Sequence, residues 1–166
     1  MLLAIASVAC VAGFETPDRT LIDERSTTAW PCQLTVTGDL RVFAELAWAH
    51  SPTFRDQCRK LAAAGAVVIV IADSTKRAGR AETRIWKTRD GVTFARTRVR
   101  STLDAVELIA HELEHVIECV EGVRYLMEAS SRSSGVYLTA GSYETRRAIA
   151  IGLRVAHEVR KATKAP

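Results

Sequence analysis

No apolar run in this sequence approaches the roughly 18 residues that a membrane-spanning helix requires, so no membrane span is expected. Internal repeats and long linkers are also lacking, which leaves one domain rather than a solenoid or a string of modules. Cysteine is scarce, at four residues in 166. A chain of that length buries roughly two-thirds of its unfolded surface and folds without disulfide or metal staples. The remaining composition, 48% apolar and 25% charged, excludes a disordered, collagenous or coiled-coil chain.

Residues 1–13, MLLAIASVACVAG, are apolar or small, and polar sequence begins at Glu15. The pattern matches the apolar and small-residue parts of an export signal, although the basic residues that usually precede them are missing. The expectation is a leader over 1–13, a single domain over 14–166 and an exported protein, periplasmic or secreted. The competing reading is a buried first strand or helix. Without the leader, Cys32, Cys58 and Cys119 remain. In an oxidising compartment Cys32 pairs with Cys58 and Cys119 stays a buried thiol; in a reducing one all three are small core residues.

The net charge of +4 is unevenly spread, with nine basic residues between Lys76 and Arg100 against two acids. Such a stripe suits either an anionic partner or a charged sheet edge. The sheet edge is the simpler reading, and no nucleic-acid partner is expected.

Hydrophobic periodicity divides the chain further. Residues 34–36 read as a short strand and 39–49 as a helix. Ser51 and Pro52 supply the cap and first turn of a second helix that Gly65 stops. The continuous apolar run at 66–73 reads as a strand covered on both faces. Asp90-Gly91 favours a tight turn between strands at 81–89 and 92–100, and Arg96, Arg98 and Arg100 share one face of the second, which reads as an edge. A long helix over 103–125 opens with the capping-box-like Ser101-Thr102-Leu103-Asp104. After a polar connector, a last helix covers 142–161.

The chemistry concentrates in the long helix, at His111-Glu112-Leu113-Glu114-His115. Histidines four residues apart share a helix face and can reach one ion. Glu112 projects beside that ion, where it can take a proton from a metal-bound water. A chance match to H-E-x-x-H is rare in a chain with four histidines, and this one lies inside a periodic helix.

From about Val92 to Lys161 the chain resembles the zincin zinc metallopeptidases. The resemblance implies an α+β domain in which an edge strand aligns an extended peptide beside the motif helix. It also implies a zinc ion held by His111 and His115, with Glu112 as the general base. Subfamilies differ in the third ligand. The metzincin pattern needs Gly and His three and six residues after the second His, where this chain has Glu118 and Glu121. On an unbroken helix Glu121 lies about 9 Å beyond His115. The gluzincin pattern needs a Glu on a separate downstream helix, and Glu144 fits. Read on the last helix, Glu144, Ala148, Ile151, Val155 and Val159 form one stripe that turns the carboxylate to the apolar side. His157 would sit about 20 Å further along that helix and cannot share the ion. Gly152 and Gly122 would let the two helices approach closely.

Many gluzincins carry an acid four residues after the ligand Glu, where this chain has Ala148. Glu118 or Asp104 is left to orient a histidine, and Tyr125, Tyr137, Tyr143 or His157 to steady the oxyanion. The sequence thus predicts a small α+β, gluzincin-like zinc peptidase acting on peptide or protein substrates. In it a hairpin edge strand packs on the motif helix, and a C-terminal helix brings Glu144. The alternative is a non-catalytic, zinc-containing binding module whose basic hairpin binds an anionic partner.

Overall fold

The computed structural model describes residues 6–10, 30–73, 81–129, 131, 133–139 and 142–164. Helix α1 (Leu40–His50) buries Leu40, Ala44 and Ala47. At Ser51 the chain turns into α2 (Pro52–Ala63), whose first turn is capped by the Ser51 hydroxyl accepting from Phe54 N at 3.0 Å. Glu158 reaches the same helix end from another helix, accepting from the hydroxyls of Ser51 and Thr53. Gly65, at φ +61°, closes α2 by allowing Ala66 N to donate to Leu61 O and Gly65 N to Ala62 O.

Helix α3 (Ala105–Val120) is the axis of the molecule. It packs on strands β4 (Ala81–Lys87) and β5 (Thr93–Val99), on α1 and α2, and most extensively on α5 (Arg146–Thr163). It is buried almost all round, as a helix surrounded on every side must be. Five of its buried residues are titratable: His111, Glu112, Glu114, His115 and Glu118. Each demands a partner. The helix stops at Gly122, at φ +90°, where Val123 N donates to Glu118 O and Gly122 N to Cys119 O. No atom lies within 4 Å of a Cβ built there, so Gly122 ends the helix and does not mediate a close approach. The short α4 (Tyr125–Glu128) follows.

The main sheet adds β1 (Ala6–Cys10), β2 (Gln33–Val36) and β3 (Val67–Ala72) in the order β1-β4-β5-β3-β2. Within this sheet the β4–β5 pair is antiparallel and the other three described pairs are parallel. A separate hairpin joins β6 (Val136–Thr139) to β7 (Ser142–Thr145). The architecture is α+β, as the sequence predicts.

Four expectations are corrected. Strand β5 is interior, between β4 and β3. Its arginines Arg96 and Arg98 lie half-buried on the face away from the core, and Arg100 follows the strand. Alternation of polar and apolar residues marks a strand with one covered face but does not tell an edge from a centre. The helix read over 142–161 begins only at Arg146, and its first four residues form β7, so Glu144 comes from a strand. The helix read over 103–125 ends at Val120. Cys32 and Cys58 are free, buried thiols, whereas Cys119 is disulfide-bonded. Within the segment read as a leader, residues 6–10 form β1, hydrogen-bonded parallel to β4; the rest of it, like Lys76, Arg77 and Arg80 of the basic stripe, lies outside the described residues.

Candidate metal centre

Two turns of α3 and the end of β7 build the site. His111 and His115 stack edge-on along the helix, with ring centroids 4.8 Å apart at 81° and Nε2 atoms 3.2 Å apart. Glu144 places Oε2 3.3 Å from His111 Nε2 and Oε1 3.3 Å from His115 Nε2. Such spacings are close to the ~3.4 Å that separates donors about 2.1 Å from one tetrahedral ion. His111, His115 and Glu144 are all buried, and as a group they could hold a metal ion. Glu144 Oε2 has no hydrogen-bond partner among the described residues. That is the condition in which a buried carboxylate oxygen and two imidazole nitrogens fit a cation.

Glu112, one residue on, is fully buried, and no well-formed hydrogen bond reaches either of its oxygens among the described residues. Burial pushes its carboxyl above the usual range; the charges of His111 and His115 and the nearby Thr83 hydroxyl work in the opposite direction. Thr83, on β4, is itself paired with Thr97 of β5 at 2.8 Å. Burial opposes a charge on His115, but the carboxylates of Glu118, Glu144 and Glu112 outweigh it and hold the imidazole pKa above its ordinary value. Glu144 is the reverse case. Burial raises it, and the two histidines prevail and hold it low.

Of the two acids considered for orienting a histidine, the structure brings up Glu118, whose Oε2 lies 3.0 Å from His115 Nδ1. It also accepts from Tyr125 OH at 3.1 Å and from Thr145 OH at 2.7 Å. Asp104 sits at the start of α3, two turns before His111. The Tyr125 hydroxyl is shared with His115 O at 2.9 Å, so this phenol supports the histidine from behind. Thr145 is the residue the sequence reading missed. Its backbone N donates to Glu144 Oε1 at 2.7 Å, its hydroxyl donates to Glu118, and the same hydroxyl accepts from Ala148 N to cap α5. A Thr three residues before Ala148 is an N-cap signal, hidden by a helical periodicity that extends back through Glu144.

The remaining candidates separate cleanly. Tyr137 stands opposite Glu144 across the β6–β7 hairpin, and burial together with that carboxylate raises its phenol pKa. Tyr143 points to the other face and stacks on Tyr125, centroids 6.1 Å apart. His157 is exposed beside Arg160, Lys161 and Lys164. Glu121 pairs with Arg147, which also holds Glu114 at 2.6 Å. Gln57 completes the Glu114 shell at 2.8 Å.

In comparisons with protein-family models, curated proteins and solved structures, none matches this chain.

Proposed function

We propose that the chain is a zinc-dependent peptidase in which His111, His115 and Glu144 hold the metal and Glu112 is the general base. One observation carries the reading: two imidazoles and a carboxylate converge to metal-ligand spacing while a second carboxylate lies buried beside them with no hydrogen-bond partner among the described residues. A site that only held an ion would gain nothing from that unpaired acid, which costs stability. Zinc bound there would polarise a scissile carbonyl and acidify a water. Glu112 would then accept the water proton and return it to the leaving amine, Glu118 would fix His115 through Nδ1, and Tyr137, opposite Glu144 in the hairpin, would donate to a developing oxyanion. With β5 interior, an extended substrate cannot align on that strand. Export belongs to the same proposal and rests on the apolar, small-residue run at 1–13.

The second reading, a non-catalytic zinc-containing module, draws on the depth of the site: His111 is 5% exposed and His115, Glu112 and Glu144 are 0%. One experiment separates the two. Glu112→Gln is expected to keep about one zinc per chain and to lose hydrolysis of a mixed peptide pool, because it removes a base and no ligand. Glu144→Gln is expected to weaken zinc binding itself. Zinc-loaded wild-type protein that cleaves no peptide in the pool would favour the non-catalytic module, and absence of zinc binding would refute both.

A further inference from the structure

We propose that Gly152 is a positioning residue for the metal site, setting the distance between the helix that carries two ligands and the unit that carries the third. The inference rests on the metal-site reading above. His111 and His115 belong to α3, whereas Glu144 is joined through Thr145 directly to α5. The separation of the three donors therefore depends on how closely α5 seats on α3.

Gly152 of α5 seats directly against Glu107 and His111 of α3. A Cβ built on Gly152 would stand 2.9 Å from Glu107 O, 3.1 Å from His111 Cβ and 3.4 Å from Glu107 Cγ. The first is a helix carbonyl that cannot rotate aside, and the second is the root of a ligand side chain. Gly152 is not among the positive-φ glycines, so backbone conformation does not require glycine here, and glycine is a poor helix former. Ala148 and Ala156, one turn to either side, are buried as alanines. Restoring ordinary contact would move the helices apart by about half an ångström, against the roughly 0.2 Å tolerance of metal–ligand distances.

Gly152→Ala is expected to weaken zinc about tenfold to a hundredfold, the usual effect of disturbing the groups that orient ligands. Zinc would be measured by competition with a chromogenic chelator and the coordination by the visible absorption of the cobalt-substituted protein. Val159→Ala, which opens a buried position further along the same helix, is expected to lower Tm while leaving zinc affinity within about twofold and the cobalt spectrum unchanged. Wild-type affinity and spectrum in Gly152→Ala would overturn the proposal. So would equal weakening by Val159→Ala, or a Gly152→Ala chain that fails to fold even with zinc, since the glycine would then serve the core at large. Wild-type protein that binds no zinc would overturn the metal reading itself.

Discussion

Glu118 shows how one carboxylate can serve several partners. It accepts from His115, Tyr125 and Thr145, and the histidine it grips is a proposed ligand. Replacing it with Gln keeps the shape but removes the charge that orients and enriches the imidazole. Glu118→Gln is expected to weaken zinc about tenfold or more, read by chelator competition, with a smaller fall in Tm. Unchanged affinity would reduce Glu118 to a structural acid. The residue was visible in the sequence as an acid on the histidine face; that it accepts from three donors was not, since Thr145 lies 27 positions away.

At the scale of elements, Thr145 links strand β7 to helix α5 and to Glu118. Thr145→Val removes the cap, worth about 0.5–2 kcal/mol, and also a hydrogen bond to Glu118. Lower Tm together with weaker zinc is expected, whereas Thr145→Ser should restore both; loss of Tm alone would confine Thr145 to capping. Helix α2 has a comparable tie. Burial acts against the charge on Glu158, but the donors of Ser51 and Thr53 hold its carboxyl below the ordinary range. A group whose folded pKa is depressed contributes stability above its unfolded pKa and loses it as pH falls. Wild-type Tm minus that of Glu158→Gln should therefore be positive near pH 7 and shrink below about pH 4.3. A difference that stays constant across this window would contradict the tie.

Across the whole molecule, β1 closes one side of the main sheet by pairing with β4 over Ala6–Cys10. Removing residues 1–13 would strip five residues of pairing from β4 and leave it as a bare edge. With each hydrogen bond worth about 1 kcal/mol net, the shortened chain is expected to melt lower, and scanning calorimetry of the two lengths would show it. Equal Tm values would mean that the fold does not depend on this strand, as the leader reading requires.

Local patterns settled what depends on neighbours along the chain. The Ser51-Pro52 start and Gly65 stop of α2, the apolar run of β3, the turn at Asp90-Gly91 and the spacing of His111, Glu112 and His115 were all readable, because capping, covering and helical pitch act over a few residues. Glu144 was also picked out by residue type and distance in sequence. Its setting in a strand was not, since Ser142–Thr145 pairs with β6 and strand pairing is non-local. The interior place of β5 depends on which strands flank it, and the disulfide at Cys119 depends on what packs beside that cysteine. The seating of Gly152 against His111 likewise joins residues 41 apart in sequence and touching only when α5 lies on α3. The sequence alone determined the motif and most helix and strand segments; tertiary packing decided strand order, which element carries the third candidate ligand and the distances that bring three side chains together.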